Sequence, residues 1–292
     1  MTQHPLFSVL IANYNNGKYL QEAIDSVVAQ TYTNWEVIIV DDGSTDNSKK
    51  IYSQLESSRK ISIHYNESNK GCGYTKRRCV ELAQGEVCGF LDADDCLLPE
   101  AIDEMMAAHT ANPDCSLVYS QYYYADENLI IGDVSAHQCA ISREKSFLSC
   151  GIDGAISHFA TFKRDNYFKT PGINPDMLRA VDIDLYLKLE EAGGMLFLPK
   201  PLYIYRCGTG NNISLGSDNA RKAVYWDFLA RVEACQRRHL NIETVAFPKL
   251  DSLFTCVKGD ALQQGEARVR KSKAYRLGKR ILTPFAWIKR RT

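Results

Sequence analysis

Acidic side chains stand in pairs directly after two apolar segments of the chain. Asp92 and Asp94 are separated by one residue and follow the apolar run 87–91, and Asp41 and Asp42 follow a second apolar run. Hard divalent cations such as Mn²⁺ and Mg²⁺ prefer oxygen ligands and commonly bridge protein carboxylates to a substrate diphosphate. The Asp-x-Asp spacing therefore predicts a Mn²⁺ or Mg²⁺ site that binds a phosphorylated substrate.

The same acidic pairs also have a purely structural interpretation. Asp is common in turns and at helix N-caps, so each pair is equally explained as a solvated turn that caps the next helix. In Asp41-Asp42-Gly43-Ser44 both carboxylates are candidates for an Asx turn. The position of the acids at strand ends, rather than the short motif, is what favours a site.

Apolar runs alternate with helical patterns over the first hundred residues. The strand-like runs are 7–12, 35–40, 61–65 and 87–91, and amphipathic helical segments lie between them. Alternation of this kind predicts an α/β fold with a mostly parallel sheet and helices on both faces. Because ligands of such sheets bind at the carboxyl ends of the strands, the polar loops 13–16, 41–44 and 92–95 are expected to meet in one cleft.

The second part of the chain is less regular. A further strand is predicted over 117–124, and a helix over 180–192 that ends at Gly193-Gly194. Two separate short apolar runs follow, and beyond Ser214 the pattern is helical and polar. The triple tyrosine 122–124 favours a half-buried strand over a sugar-stacking surface, because aromatic residues are enriched in strands.

Composition excludes several classes of protein. The chain has 292 residues, 45% of them apolar, with only 18 Gly and 9 Pro, which excludes collagen-like and disordered chains. Its 35 basic and 35 acidic residues give zero net charge, so no nucleic-acid partner is expected. The ten cysteines are scattered without a C-x-x-C pair, which favours free thiols in a reducing cytoplasm.

The expected location is cytoplasmic, with peripheral membrane contact as a second hypothesis. Residues 1–5 lack the basic region of a signal peptide, and no apolar window approaches the ~18 residues of a spanning helix. Ten basic residues and no acid lie in 268–292, which leaves 25 basic against 35 acidic residues in the body. Within that tail, 275–288 interleaves apolar and basic residues around Pro284. Binding to anionic lipid and packing on the acidic body are equally favoured.

Three segments carry a resemblance to a known family. They are 8–48 with its DDGS turn, 69–95 with its Asp-x-Asp motif, and 181–206, which begins VDIDLYLKLEE. In their residues and in their order along the chain, they resemble the family 2 inverting glycosyltransferases of GT-A fold, over residues 6–215. The resemblance implies a Rossmann-like mixed, mostly parallel sheet. It also implies a catalytic domain over 1–215, with a nucleotide-sugar half to 115 and an acceptor half from 116, before a helical extension over 216–292 with a basic amphipathic tail.

The resemblance also implies an activity. It is the metal-dependent transfer of a sugar, with inversion, from a nucleotide-sugar to an acceptor hydroxyl, in surface polysaccharide or glycolipid assembly. The donor is expected to be UDP-linked and the acceptor a saccharide or a lipid-linked saccharide. By the same resemblance Asp42 would accept the uracil N3–H and Tyr14 would lie against the base. The other implied nucleotide contacts are Ala12, Asn15, Lys76 and Asp92.

The resemblance implies separate residues for the metal and for the chemistry. Asp94 would ligate the metal, Asp92 would bind ribose or support the metal, and Asp95 could share either role. Asp182 falls where the family carries the base that deprotonates the acceptor hydroxyl. His158 lies in the region of the acceptor side, although a single His is more often structural.

Three positions depart from the family's usual pattern. Val181 stands where the family usually has Glu before the base, Lys76 where it often has Arg, and Ala12 where it often has Pro. A lysine supplies charge without the bidentate geometry of a guanidinium, so these changes bear on donor preference. Val181 also leaves open a catalytically impaired nucleotide-sugar-binding protein. A haloacid-dehalogenase-like phosphatase with Asp92 as nucleophile is a third hypothesis, disfavoured because three strands precede the motif.

Overall fold

The computed structural model describes residues 4–55, 58–141, 146–150, 152, 154–209, 217–242 and 245. Its centre is a nine-stranded sheet in the order β3-β2-β1-β4-β8-β6-β9-β5, with β7 paired to β6. The strands are β1 Phe7–Asn13, β2 Trp35–Asp41, β3 Ile61–Tyr65, β4 Val87–Phe90, β5 Cys96–Leu97, β6 Cys115–Ala125, β7 Ile131–Val134, β8 Ala160–Lys163 and β9 Gly194–Arg206. The helices are α1 Leu20–Val28, α2 Ser48–Leu55, α3 Cys72–Leu82, α4 Ala101–Ala111, α5 Arg164–Phe168, α6 Val181–Ala192 and α7 Ser217–Arg237.

The amino-terminal part of the sheet is parallel, as the alternation of strands and helices predicts. β1 pairs in parallel with both β2 and β4, and β2 pairs in parallel with β3. Nearly every residue of β1 and β2 is buried, because helices cover both faces. On α1 the buried residues recur at helical spacing and pack against this sheet; they are Leu20, Ala23, Ile24 and Val27. The α/β prediction is confirmed here.

The carboxyl-terminal part of the sheet is mixed. β8 runs antiparallel to both β4 and β6, β6 runs parallel to β9, and β5 runs antiparallel to β9. Because β5 begins at Cys96, its pairing with β9 holds the preceding acidic loop against the end of β9. The sheet is thus mostly parallel at one end only.

One strand replaces two predicted apolar runs. The runs 195–198 and 202–205 form the single strand β9, and Pro199-Lys200-Pro201 lies between them. Prolines lack the N–H that a sheet ladder needs, so they are tolerated at irregularities. The pairing of β6 with β9 shifts register at this point: Tyr119 pairs with Phe197, and Gln121 pairs with Pro201. The extra residues are absorbed as a bulge.

The later helices follow the sequence prediction closely. α6 covers Val181–Ala192 and ends at Gly193, and α7 packs against α6. The nine cysteines among the described residues are free thiols. No helix in the described ranges is long and apolar enough to cross a membrane. The predicted amphipathic segment 275–288 lies outside the described residues, and the domain boundary at 215 stays a prediction.

Candidate active site

The two acids of the Asp41-Asp42 turn have different environments. Asp41 forms the Asx turn: its Oδ1 accepts the backbone N–H groups of Gly43 at 3.1 Å and Ser44 at 2.8 Å. Its Oδ2 accepts the hydroxyl of buried Tyr52 at 2.7 Å. The structural interpretation therefore holds for Asp41, and the next helix is preceded by Asp46, whose Oδ1 accepts the N–H of Ser48 at 3.0 Å.

Asp42 is buried at the edge where the strands end. Its Oδ1 accepts Asn66 Nδ2 at 2.7 Å and the N–H of Lys70 at 2.8 Å, and its Oδ2 accepts the N–H of Gly71 at 2.9 Å. A carboxylate offers about four acceptor sites. These three bonds orient the group and leave acceptor capacity on Oδ2.

The loop after β1 contributes the residues implied as nucleotide contacts. Ala12 is half-buried near the end of the strand, and Tyr14 is 47% exposed. Asn15 has a left-handed backbone, with φ 55°, which Asn adopts more readily than most residues. Its Oδ1 accepts the N–H of Thr45 at 2.8 Å, and its own N–H donates to Ser44 Oγ at 2.9 Å. Asn15 thereby joins the loops that follow β1 and β2.

Lys76 joins α3 to the acidic loop after β4. Its Nζ lies 3.1 Å from Asp92 Oδ1 and 5.0 Å from the ring centre of Phe90. Burial alone would lower the pKa of Lys76, but Asp92 raises it above the usual lysine value. Burial would likewise raise the pKa of Asp92, but Lys76 and then His158 hold it below the ordinary range. Both groups are charged at neutral pH.

Asp94 and Asp95 differ in burial and in partners. Burial, followed by the neighbouring charge of Asp92, raises the pKa of Asp94 to about 6, and its Oδ2 accepts the hydroxyl of Thr209 at 3.3 Å. Asp95 is 1% exposed, and its Oδ2 accepts the Tyr203 hydroxyl at 2.7 Å. Burial raises its pKa well above the usual value, and Asp94 adds to the rise.

His158 completes a group of potential metal ligands. One ligand atom from each of Asp92, Asp95 and His158 lies within 4.8 Å of the others. The imidazole ring stacks on the rings of Tyr203 and Tyr205, with centroid distances of 4.9 Å and 5.4 Å and interplanar angles below 15°. Carboxylate oxygens with one imidazole suit Mn²⁺, and carboxylates suit Mg²⁺, so the donor set fits a hard divalent cation. Asp94, the ligand implied by the family, lies beside this group rather than in it.

Asp182 is in the first turn of α6, and its carboxylate is exposed. Just before the helix, Ala180 has a left-handed backbone with φ 52°. The negative charge of Asp182 acts on the pKa values of both Lys76 and His158, after burial and Asp92. The structure thus brings Asp182 to the same edge of the sheet as Asp92.

Sequence inspection missed the side chains of β9 that hold the acidic loop. Besides bonding to Asp95, the Tyr203 hydroxyl accepts the N–H of Asp92 at 3.2 Å. Arg206, 2% exposed, donates its Nε to the carbonyl of Asp94 at 2.7 Å and its backbone N–H to Asp95 Oδ1 at 2.8 Å. Its guanidinium also pairs with Glu22 of α1. The one signal in the sequence was Arg206, a charged residue at the end of the apolar run 202–205.

Known proteins resemble both the sequence and the fold. The Glycosyl transferase family 2 model matches residues 8–168. A chondroitin synthase of Escherichia coli is 30% identical over 256 residues, which cover 87% of this chain and 36% of that protein. The chain therefore spans about a third of the length of that relative.

Two solved structures share the fold at low sequence identity. One is S. aureus TarS 1-349 in complex with UDP-GlcNAc, with a TM-score of 0.62, 17% identity, and coverage of 91% of this chain and 76% of that one. The other is the mannosyltransferase PcManGT from Pyrobaculum calidifontis with GDP-Man and Mn²⁺, with a TM-score of 0.58, 15% identity, and coverage of 97% and 85%. These neighbours support the GT-A assignment of the sheet. The family match over more than half of the chain shows that this protein belongs to glycosyl transferase family 2 and is a glycosyltransferase.

Proposed function

We propose that the protein transfers a sugar, with inversion, from a UDP-linked donor to an acceptor hydroxyl, and that the reaction depends on Mn²⁺ or Mg²⁺. The observation that carries this proposal is the convergence of three groups at one sheet edge: the Asp42 pocket, the acidic loop Asp92–Asp95, and the exposed carboxylate of Asp182. They come from separate segments of the chain. Each suits a different part of a nucleotide-sugar transfer.

The donor pocket supports a uracil base. The acceptor capacity that remains on Asp42 suits an imide N–H, and exposed Tyr14 offers a ring beside the same loop. Ala12, Asn15 and Lys76 are the other proposed nucleotide contacts. Relatives of this fold bind donors with different bases, since the TarS structure holds UDP-GlcNAc and the PcManGT structure holds GDP-Man. The proposal for UDP therefore depends on Asp42.

The acidic loop is proposed to bind the diphosphate through a divalent cation. Asp94 and Asp92 are the proposed metal ligands, with Asp95 and His158 as further donors in reach. Once bound, such a cation would offset the charge that grows on the departing nucleoside diphosphate. Since His158 lies next to Asp92, contact with the metal or the diphosphate replaces acceptor binding as its proposed role.

Asp182 is proposed to be the general base. It would take the proton of the acceptor hydroxyl while the hydroxyl oxygen bonds to the anomeric carbon and the bond to the diphosphate oxygen breaks. A single displacement from the opposite face inverts the anomeric centre. The proposed acceptor is a saccharide or lipid-linked saccharide of surface polysaccharide or glycolipid assembly, in keeping with the chondroitin synthase relative.

Two variants test the separate roles of the acids. We expect Asp94→Ala to abolish Mn²⁺-dependent donor binding, and Asp182→Asn to keep donor binding and lose sugar transfer. Calorimetry with UDP and Mn²⁺ measures the first property, and product analysis with a panel of nucleotide-sugars measures the second. Near-normal turnover by Asp182→Asn would show that the base assignment is wrong. Donor binding without transfer or hydrolysis by the natural chain would support the impaired binding protein.

Nucleotide preference tests the pocket itself. We expect UDP to bind more tightly than GDP or ADP, because the acceptor capacity left on the Asp42 carboxylate suits the uracil imide N–H. dTDP is the nearest competitor, since thymine has the same imide. Titration calorimetry with the four nucleotides in Mn²⁺ measures the order, and equal affinities for UDP and GDP would contradict the proposal.

A further inference from the structure

The loop 171–180, between α5 and α6, leads directly to Asp182. Its carbonyl groups accept hydrogen bonds from two cationic side chains on different helices. Arg77 of α3 donates Nη1 to the carbonyls of Pro171 at 3.2 Å and Ile173 at 3.0 Å. Lys188 of α6 donates Nζ to the carbonyl of Gly172, between them, at 2.8 Å. Three consecutive carbonyls are thus held from two sides.

Lys188 also belongs to a buried ion pair. Lys188 is 3% exposed and Asp184 is 0% exposed, and the Nζ lies 2.6 Å from Asp184 Oδ1 and 2.7 Å from Oδ2. Asp184 Oδ2 in turn accepts the backbone N–H of Asn174 at 2.9 Å. The pair on α6 therefore binds the loop through one carbonyl and one N–H group. An ion pair of this kind is not needed for α6 to form. Its contacts with Gly172 and Asn174 therefore indicate that the pair fixes the position of the loop.

The same loop packs closely on the start of α3. The N–H of Gly73 donates to the carbonyl of Met177 at 2.9 Å, and a Cβ on Gly73 would lie 2.6 Å from that oxygen. Two residues before Gly73, Gly71 donates its N–H to Asp42, and Leu178 lies against it. The loop therefore contacts the segment that orients Asp42 and leads to Asp182. On its other side it lines a cavity of about 460 Å³ together with α7.

We propose that Arg77 and Lys188 are positioning residues for sugar transfer. By clamping the carbonyls of 171–173, they hold the loop so that Asp182 faces the acidic loop at the end of β4. This inference rests on the proposed function, in which Asp182 is the base. A small displacement of a base costs turnover. Donor binding is expected to be kept, because Asp42 is held by Asn66, Lys70 and Gly71, to which neither clamp residue bonds.

Three variants separate positioning from folding. Lys188→Met alone leaves Asp184 charged and buried without its partner, so it is expected to lower the melting temperature strongly. The double variant Asp184→Asn/Lys188→Met removes both charges at similar volume and is expected to recover most of that loss. It still lacks the donor to Gly172. Arg77→Met removes the other side of the clamp at a half-exposed position. Lys200→Met, which breaks the surface pair with Glu104, is the matched control.

The measurements are the melting temperature, the affinity for UDP with Mn²⁺ by calorimetry, and kcat and KM for transfer. For the double variant and for Arg77→Met we expect unchanged UDP affinity and a kcat lower by about ten- to a hundredfold. Lys200→Met should retain kcat.

Wild-type kcat in both clamp variants, while Asp182→Asn abolishes transfer, would overturn the positioning role and leave the proposed function intact. Loss of UDP binding in step with stability would also overturn it. Retained transfer by Asp182→Asn would overturn the base assignment and this inference together.

Discussion

Neighbouring acids in this protein differ in their hydrogen-bond partners more than in burial, since Asp41 and Asp42 are 1% and 3% exposed. Asp41 and Asp95 are 1% exposed and accept hydrogen bonds from tyrosine hydroxyls and backbone N–H groups. A buried carboxylate without such partners would cost several kcal/mol, so these bonds are a condition of folding. Asp42 directly follows Asp41 in the chain, and Asp94 directly precedes Asp95. Asp42 is also buried but keeps acceptor capacity on Oδ2, and Asp94 is half-buried and accepts the Thr209 hydroxyl.

At the residue scale, Tyr203→Phe tests how the acidic loop is held. The variant keeps the ring that stacks on His158 but removes the hydroxyl that bonds to Asp95 and to the N–H of Asp92. We expect the free energy of unfolding to fall by about 1–3 kcal/mol, because buried Asp95 loses a partner. We also expect weaker Mn²⁺ binding, measured by titration calorimetry without donor.

Tyr32→Phe is the control for that variant. Its hydroxyl donates to the carbonyl of Pro5 at 2.5 Å, at the opposite end of β1 from the site. It should lower stability and leave Mn²⁺ binding unchanged. Equal Mn²⁺ affinity in Tyr203→Phe and the natural protein would show that the hydroxyl serves folding alone.

At the element scale, a buried histidine joins α4 to the sheet. His109 is 3% exposed, and its Nε2 lies 3.0 Å from the Oγ1 of Thr161 on β8. Burial, and then the charge of Lys163, lowers the pKa of His109 to about 4. The histidine is therefore neutral in the folded protein at pH 7, and the helix is held by an uncharged hydrogen bond.

The depressed pKa predicts a loss of stability in acid. Between about pH 6.5 and 4 the unfolded chain binds a proton at His109 that the folded chain does not, so the free energy of unfolding falls as pH falls. Above that range the contribution is constant. The full effect near the acid end of the range is about 3 kcal/mol. Urea denaturation across this pH range measures it, and His109→Gln is expected to show a shallower decline than the natural protein.

Exposed His137 provides the comparison for the acid series. His137→Gln should leave the pH dependence of stability as it is in the natural protein. If His109→Gln and the natural protein decline in parallel, the acid sensitivity comes from other groups, and the burial of neutral His109 does not explain it.

At the scale of the whole molecule, charge is divided along the chain. The last 25 residues carry ten basic residues and no acid, whereas the rest has ten more acidic than basic residues. A basic amphipathic segment binds an anionic lipid surface with about 1 kcal/mol for each Lys or Arg near the membrane. We predict that the whole chain pellets with anionic vesicles at low salt, less so at physiological salt, and that a chain ending at Glu266 stays in solution.

Neutral vesicles are the control for this sedimentation experiment, because electrostatic attraction requires anionic headgroups. Equal pelleting of both chains with anionic vesicles would remove the tail from membrane binding. Pelleting of neither would favour the alternative, in which the apolar side of the tail packs on the acidic body.

The sequence alone determined the first half of the fold and the class of protein. Parallel strands covered on both faces are continuous apolar runs, so β1, β2 and β4 could be located to within a residue or two. β3 was located equally well, although it is a half-buried strand at the edge of the sheet. Polar residues that follow such strands must meet at one edge of the sheet, and this rule by itself places Asp42 near Asp92. The family motifs in segments 8–48 and 69–95 lie in these same loops, and together with segment 181–206 they indicated the class of protein.

Only the tertiary structure decided which partners each of these acidic side chains has. Asp41 and Asp42, or Asp94 and Asp95, are adjacent in sequence and identical in type, and local pattern cannot distinguish them. The role of Asp95 depends on partners more than 100 residues away, since Tyr203 and Arg206 of β9 donate to its carboxylate. The contacts of Lys188 with Gly172 and of Gly73 with Met177 are equally invisible in sequence. Periodicity reports which face of an element is buried, whereas hydrogen bonds between distant segments exist only once the chain has folded.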